Sequence, residues 1–192
     1  KKTAPEIQIL NNGIDTEYFF ANENNFDEKR IIFTGNMPYY ANSDAAIYFA
    51  NAIFPLLLKK DPSIIFYIVG QQPPIRIKNL ASKNIFVRGF VKDIKAEYLK
   101  SAVTVAPMRF GAGTLNKVIE SIALGVPVVA TPIAVSGLPK ELERFVQIAV
   151  TPQEFAQKIF DILQDKNFRS NTMSEGIKVI GRLLSWEVIV GN

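Results

Sequence analysis

Residues 109 to 131 read Arg-Phe-Gly-Ala-Gly-Thr-Leu-Asn-Lys-Val-Ile-Glu-Ser-Ile-Ala-Leu-Gly-Val-Pro-Val-Val-Ala-Thr, and no other stretch narrows the possible folds as far. A glycine-rich loop runs into a helix, a glycine stops the helix, and a buried strand follows. Many α/β proteins build a phosphate cradle in that order. Thr114 is a natural N-cap, which puts Lys117 at N3. A capping box wants Glu or Gln there, and the helix macrodipole disfavours a cation by about 0.3 to 1 kcal/mol. A lysine set against that gradient points to an anion. Arg109 adds a second cation to the same mouth, and Gly111 and Gly113 let backbone N–H groups approach a ligand without Cβ obstruction.

The rest of the chain extends the pattern. Short β-rich apolar runs recur at Ile31 to Thr34, Ile64 to Val69, Ile85 to Val87, Val103 to Val105, Val128 to Ala130 and Val146 to Ile148, with helical patterns between them. Six such runs predict an α/β fold: a doubly wound, mostly parallel six-stranded sheet, Rossmann-like, covered by helices on both faces. Ligands in that architecture bind beyond the carboxyl ends of the strands, where the strand order reverses. The first helix is expected to start near Asn42-Ser43-Asp44 and to kink or break at Pro55. After Thr114, Leu115, Val118, Ile119, Ile122 and Ala123 form an inward stripe, leaving Lys117 and Glu120 on a polar flank. Gly125 and Pro127 end that helix, and Thr151-Pro152-Gln153-Glu154 forms a capping box for a later one.

Composition removes several function classes. With no histidine and no cysteine, the chain offers no imidazole base, no thiolate metal site and no disulfide, so any acid-base chemistry falls to carboxylates, Lys or Tyr. The net charge is +4, but the 22 basic residues are scattered, which does not support a nucleic-acid stripe. The longest apolar stretch, Ala45 to Leu58, is interrupted by Asn51 and Pro55 and is too short to cross a bilayer. The chain begins with Lys, and we expect it to be part of a longer protein.

From Arg109 to Thr131 the chain resembles the donor-binding half of retaining, GT-B-fold glycosyltransferases of group 1, a family that includes bacterial polysaccharide-assembly enzymes. Other segments carry the likeness over nearly the whole length. Asn11-Asn12-Gly13-Ile14-Asp15 with Phe19-Phe20 is similar to the segment leading from acceptor domain to donor domain; Thr34-Gly35-Asn36-Met37 resembles the first loop; Ile68-Val69-Gly70, Gly89-Phe90-Val91 and Ser185-Trp186 match in order. The resemblance implies an interdomain linker over residues 1–20, a donor domain over 21–192, and an N-terminal acceptor domain absent from this chain.

It also implies roles. Arg109 and Lys117 would be the catalytic cations on the diphosphate of a nucleotide sugar, without a metal or other cofactor. Gly35, Asn36, Gly111, Gly113, Thr114 and Leu115 would supply backbone around the phosphates, Glu120 would accept from ribose hydroxyls, and Phe90 and Val91 would face the base. The implied partners are the donor and the acceptor domain, with membrane contact only through that domain or a lipid-linked acceptor, in a cytoplasmic protein peripheral to the inner membrane. Two positions depart from the family pattern: Ala112 stands where many relatives carry a sugar-contacting glutamate, and Asn36 to Asn42 lacks the arginine and lysine found there in many relatives. A noncatalytic nucleotide-binding or regulatory module is the alternative.

Overall fold

The apolar runs become six strands: β1 (Asp27–Thr34), β2 (Ile65–Val69), β3 (Ile85–Arg88), β4 (Ser101–Ala106), β5 (Val128–Ala130) and β6 (Val146–Ile148). The computed structural model describes residues 12–21, 26–111 and 116–191. Every strand pairing is parallel, and the sheet order is β3-β2-β1-β4-β5-β6. The chain therefore winds outward from β1 in one direction, returns, and winds outward from β4 in the other, placing the switch point between β1 and β4.

Burial on both faces explains the near-continuous apolar strands. Ile31 and Phe33 enter one cluster with Phe66, Ile68, Val103 and Val105, while Ile32 enters a second with Val69, Tyr98, Leu124 and Val126. The covering helices are α1 (Tyr40–Tyr48), α2 (Phe54–Lys60), α3 (Ile75–Lys78), α4 (Ile94–Leu99), α5 (Asn116–Ala123), α6 (Lys140–Glu143), α7 (Pro152–Gln164), α8 (Lys166–Leu184) and α9 (Trp186–Gly191). Val118, Ile119, Ile122 and Ala123 are buried, as the stripe on α5 predicts. Gly125 takes φ 68° just past the end of α5, a left-handed stop that a Cβ would strain. The Thr151/Glu154 capping box opens α7 with both of its hydrogen bonds.

Two helix expectations need correction. Helix α1 starts at Tyr40 with Tyr39 at its N-cap, and no side chain makes a cap bond. Asn42, Ser43 and Asp44 lie within the helix because their polar atoms find partners elsewhere: Asn42 Nδ2 donates to the Asn36 carbonyl at 3.0 Å, Ser43 Oγ to the Met37 carbonyl at 2.5 Å, and Asp44 receives Arg109. At Pro55 the helical run does not break. A π-helical turn over Phe49–Ile53 absorbs the missing N–H, and α2 follows with proline in its first turn.

The ends of β1 and β2 are drawn together by the absence of side chains. The Gly35 N–H donates to the Val69 carbonyl at 3.1 Å, and a Cβ on Gly70 would lie 1.8 Å from the Gly35 carbonyl oxygen. Gly70→Ala should therefore cost about 2 kcal/mol or more, lowering Tm by about 5 °C or more. Gly89→Ala, whose Cβ meets nothing within 4 Å, should leave Tm nearly unchanged. Thermal denaturation of the two variants measures the contrast, and equal melting would refute the close approach.

Candidate functional site

Beyond the carboxyl ends of β1 and β2, beside the switch point, lies a cavity of about 570 Å³. That volume suits a nucleotide-sized ligand. Loops after β1, β2 and β3 supply Gly35, Asn36, Gly70, Phe90 and Val91, and α5 supplies Asn116, Lys117 and Glu120. Lys117 and Glu120 are the lysine and the carboxylate among the described lining residues.

Lys117 is only 7% exposed. Its Nζ donates to Asn42 Oδ1 at 2.8 Å and lies 4.2 Å from the centroid of the Phe33 ring. Burial lowers its pKa from 10.5 to about 7, partly opposed by the attraction of Glu120. Asn42 can hold the lysine because Gly35 leaves room for it: a Cβ on Gly35 would stand 2.8 Å from the Asn42 amide carbon. With its Nδ2 fixed on the Asn36 carbonyl, the amide presents its oxygen to the ammonium.

Glu120 is held from the other side. Its Oε2 accepts from the Tyr98 hydroxyl at 2.8 Å, and the Tyr98 oxygen lies 2.5 Å from Thr34 Oγ1. Burial raises the Glu120 pKa, and the Tyr98 hydrogen bond and the Lys117 charge pull it back. Burial likewise pushes the Tyr98 phenol well up, so it remains a neutral donor.

The structure gathers Lys117, Glu120, Gly35, Asn36, Phe90 and Val91 around one cavity, whereas Arg109 and Gly111 are not among its lining residues. Arg109 makes a two-point ion pair with Asp44 of α1, through Nε to Oδ2 at 2.9 Å and Nη2 to Oδ1, and its guanidinium lies 5.0 Å from the Tyr48 ring centroid. Gly111 has φ 113°, a backbone that favours glycine, beside Ala41. Gly113, Thr114 and Leu115 fall outside the described residues. Asn42, Tyr98, Gln71 and Asn116 carry no ligand-binding roles in the sequence expectations, where Asn42 figures only at a helix start. Asn42 and Lys117 are 75 positions apart, and Tyr98 and Glu120 are 22 apart, so no local motif announces either pair. Among the described residues no helix is long and apolar enough to cross a membrane.

The family model described as glycosyl transferases group 1 matches residues 28–165. No curated protein matches the chain. Solved structures do. A point mutant of S. aureus TarM, in complex with Fondaparinux, alpha-GlcNAc-glycerol and UDP, superposes with a TM-score of 0.79 at 19% identity, covering 98% of this chain and 38% of that one. Anabaena Alr3699/HepE in complex with UDP and glucose gives 0.71 at 14% identity, covering 93% and 53%. The C-terminal domain of the group 1 family protein LpcC from Francisella tularensis gives 0.68 at 20% identity, covering 91% and 100%. The chain thus spans about half or less of the TarM and HepE chains, and at these identities the likeness establishes the fold. Together with the family match over most of its length, it makes the chain a member of the group 1 glycosyl transferases, with the Rossmann-like architecture of a GT-B domain.

Proposed function

We propose that the chain is the donor-binding domain of a retaining glycosyltransferase that builds cell-surface polysaccharide or glycan, and that its cavity holds a nucleoside-diphosphate sugar. One feature carries this reading: a buried ammonium and a half-buried carboxylate lie one helical turn apart on α5, lining a nucleotide-sized cavity at the switch point of the sheet. In this reading Lys117 meets the diphosphate beside the Gly35–Asn36 backbone, Glu120 accepts from ribose hydroxyls, and the base lies against Phe90 and Val91. The TarM and HepE complexes named above contain UDP, which accords with it.

Negative charge accumulates on the diphosphate as its bond to the sugar breaks. A fixed ammonium aimed at that oxygen therefore stabilises the transition state more than the ground state, and the reading calls for no metal ion. Arg109 has a lesser part, because its charge is already matched by Asp44. The acceptor belongs, in this reading, to a further domain of the same protein, working in the cytoplasm and meeting the inner membrane only through that domain or a lipid-linked acceptor. The chain alone should bind donor and transfer no sugar, and measurable transfer by it would overturn this division of labour.

Titration with UDP, GDP and ADP in the presence of EDTA, followed by NMR shifts, tests the site. Lys117→Ala should weaken binding by about 1 to 3 kcal/mol, the scale of a charged hydrogen bond, and Arg109→Ala by less. Glu120→Ala should weaken nucleotides but not bare pyrophosphate. Unchanged nucleotide binding in Lys117→Ala, or binding that vanishes with EDTA, would contradict the assignment.

The buried ammonium also predicts a trade of stability for function. Because the folded-state pKa of about 7 lies below the ordinary 10.5, the unfolded chain binds more protons between those values. This group's contribution to stability therefore rises with pH across that window, and its penalty is fully present below about pH 7. Lys117→Met should melt higher than the parent near neutral pH, lose that advantage towards pH 10, and lose donor binding. Melting curves across the range measure this, and a Met variant that melts lower at neutral pH would show the charge to be fully compensated.

A further inference from the structure

The Tyr98 hydroxyl has no evident reason to exist for packing. Its ring is completely buried in the smaller apolar cluster with Ile32, Val69, Leu124 and Val126, where phenylalanine would fill the same space. The hydroxyl instead reaches Glu120 Oε2 at 2.8 Å and Thr34 Oγ1 at 2.5 Å. An ionised carboxylate only accepts, so the phenol proton goes to Glu120, and the Thr34 hydroxyl must then donate to the phenol oxygen. The bonds run in one direction, from Thr34 at the end of β1 through Tyr98 on α4 to Glu120 on α5.

Helix α4 is short but firmly seated, which makes Tyr98 a fixed reference. Asp93 caps it by accepting from the Ala96 N–H at 3.1 Å. Glu97, the neighbour of Tyr98, forms a partly buried ion pair with Arg30 of β1, and the Arg30 guanidinium lies 3.7 Å from the centroid of the Tyr67 ring on β2. Among the described residues the Tyr98 hydroxyl is the hydrogen-bond donor that Glu120 has.

Resting on the donor-binding reading above, we propose that Tyr98 is the positioning residue of Glu120: with Thr34 behind it, the phenol pins one carboxylate oxygen so that the carboxylate faces the cavity as an acceptor for the paired hydroxyls of the nucleoside. A carboxylate free to rotate would lose part of that binding to ordering its own side chain. Tyr98 touches no ligand and acts only through Glu120.

Tyr98→Phe removes the hydroxyl and keeps the ring, so the chain should still fold, with a small change in Tm that is measured alongside. The affinity for whichever of UDP, GDP and ADP binds most tightly should fall about 5- to 10-fold, as expected for one buried hydrogen bond. The affinity for bare pyrophosphate should stay within about twofold, because Lys117 is untouched. In a Glu120→Ala background the same Tyr98→Phe change should have no further effect on the nucleotide, an interaction that a purely structural role would not show. Equal weakening of nucleotide and pyrophosphate, or full additivity with Glu120→Ala, overturns the positioning role and leaves the donor site standing. If the parent binds no nucleotide more tightly than pyrophosphate, the donor reading falls and this inference falls with it. Thr34→Val provides a milder second variant: it should lower nucleotide affinity in the same sense, again without touching pyrophosphate, and an unchanged nucleotide affinity would remove Thr34 from the relay.

Discussion

The mouth of this sheet is organised around one ammonium kept almost entirely from water. Burial alone would drive Lys117 neutral, since moving an isolated cation out of water costs far more than a single neutral hydrogen bond returns. The chain offsets part of that cost with the Asn42 side-chain amide oxygen, the face of Phe33 and the field of Glu120, and leaves the remainder in place, which holds the pKa down to about 7. A group in that condition gains more from an arriving anion than a hydrated surface lysine does, because its charge has already been stripped of solvent. Arg109 is the contrast. Its guanidinium is about half exposed and doubly bonded to Asp44, so it has little unsatisfied charge to offer.

The position of that ammonium depends on backbone as much as on side chains. Gly70 lets the end of β2 approach the Gly35 carbonyl, Gly35 leaves space for the Asn42 amide, and Asn42 holds Lys117. A methyl group at Gly70 would collide with the Gly35 carbonyl, and one at Gly35 would press on the Asn42 amide. The carboxylate is located by a separate route through Thr34, Tyr98 and α4. Two charges three residues apart on α5 are thus fixed by different elements on either side, so each can be set without the other.

What could be read from the residues themselves follows this division. Strand positions were legible because burial on both faces demands apolar runs, and β5 and β6 have the bounds that Val128 to Ala130 and Val146 to Ile148 predict. The doubly wound architecture followed from six strands with helices between them, the placing of Lys117 near a helix start from the glycine loop before it, and the singling out of Glu120 from the resemblance. The start of α1 was not legible, because Asn42, Ser43 and Asp44 carry the local signature of a cap while their partners, the Asn36 and Met37 carbonyls and Arg109, are set by the fold. Tyr98 was hidden for the same reason. Within α4 it reads as one more aromatic on an apolar stripe, and only the proximity of α4 to α5 gives its hydroxyl a task.

The two ends of the described chain meet beside this site. The Ile14 N–H donates to the Leu184 carbonyl at 2.8 Å and Ile14 bridges Ser185, while the Trp186 ring lies where a Cβ on Gly13 would be, 2.6 Å from that position. Asn12 Nδ2 donates to Asn116 Oδ1 at 3.2 Å, joining this segment to the first described residue of α5. A second cavity, of about 210 Å³, lies between these parts and is lined by Ile14, Trp186, Asn116 and Glu120. Glu120 therefore borders both cavities, with α4 holding its carboxylate and the tail packed beneath its helix. The segment that the resemblance marks as a linker is in this way built against the same helix that carries the candidate phosphate and ribose contacts, so α5 is the element through which the core, the site and the chain ends are mechanically joined.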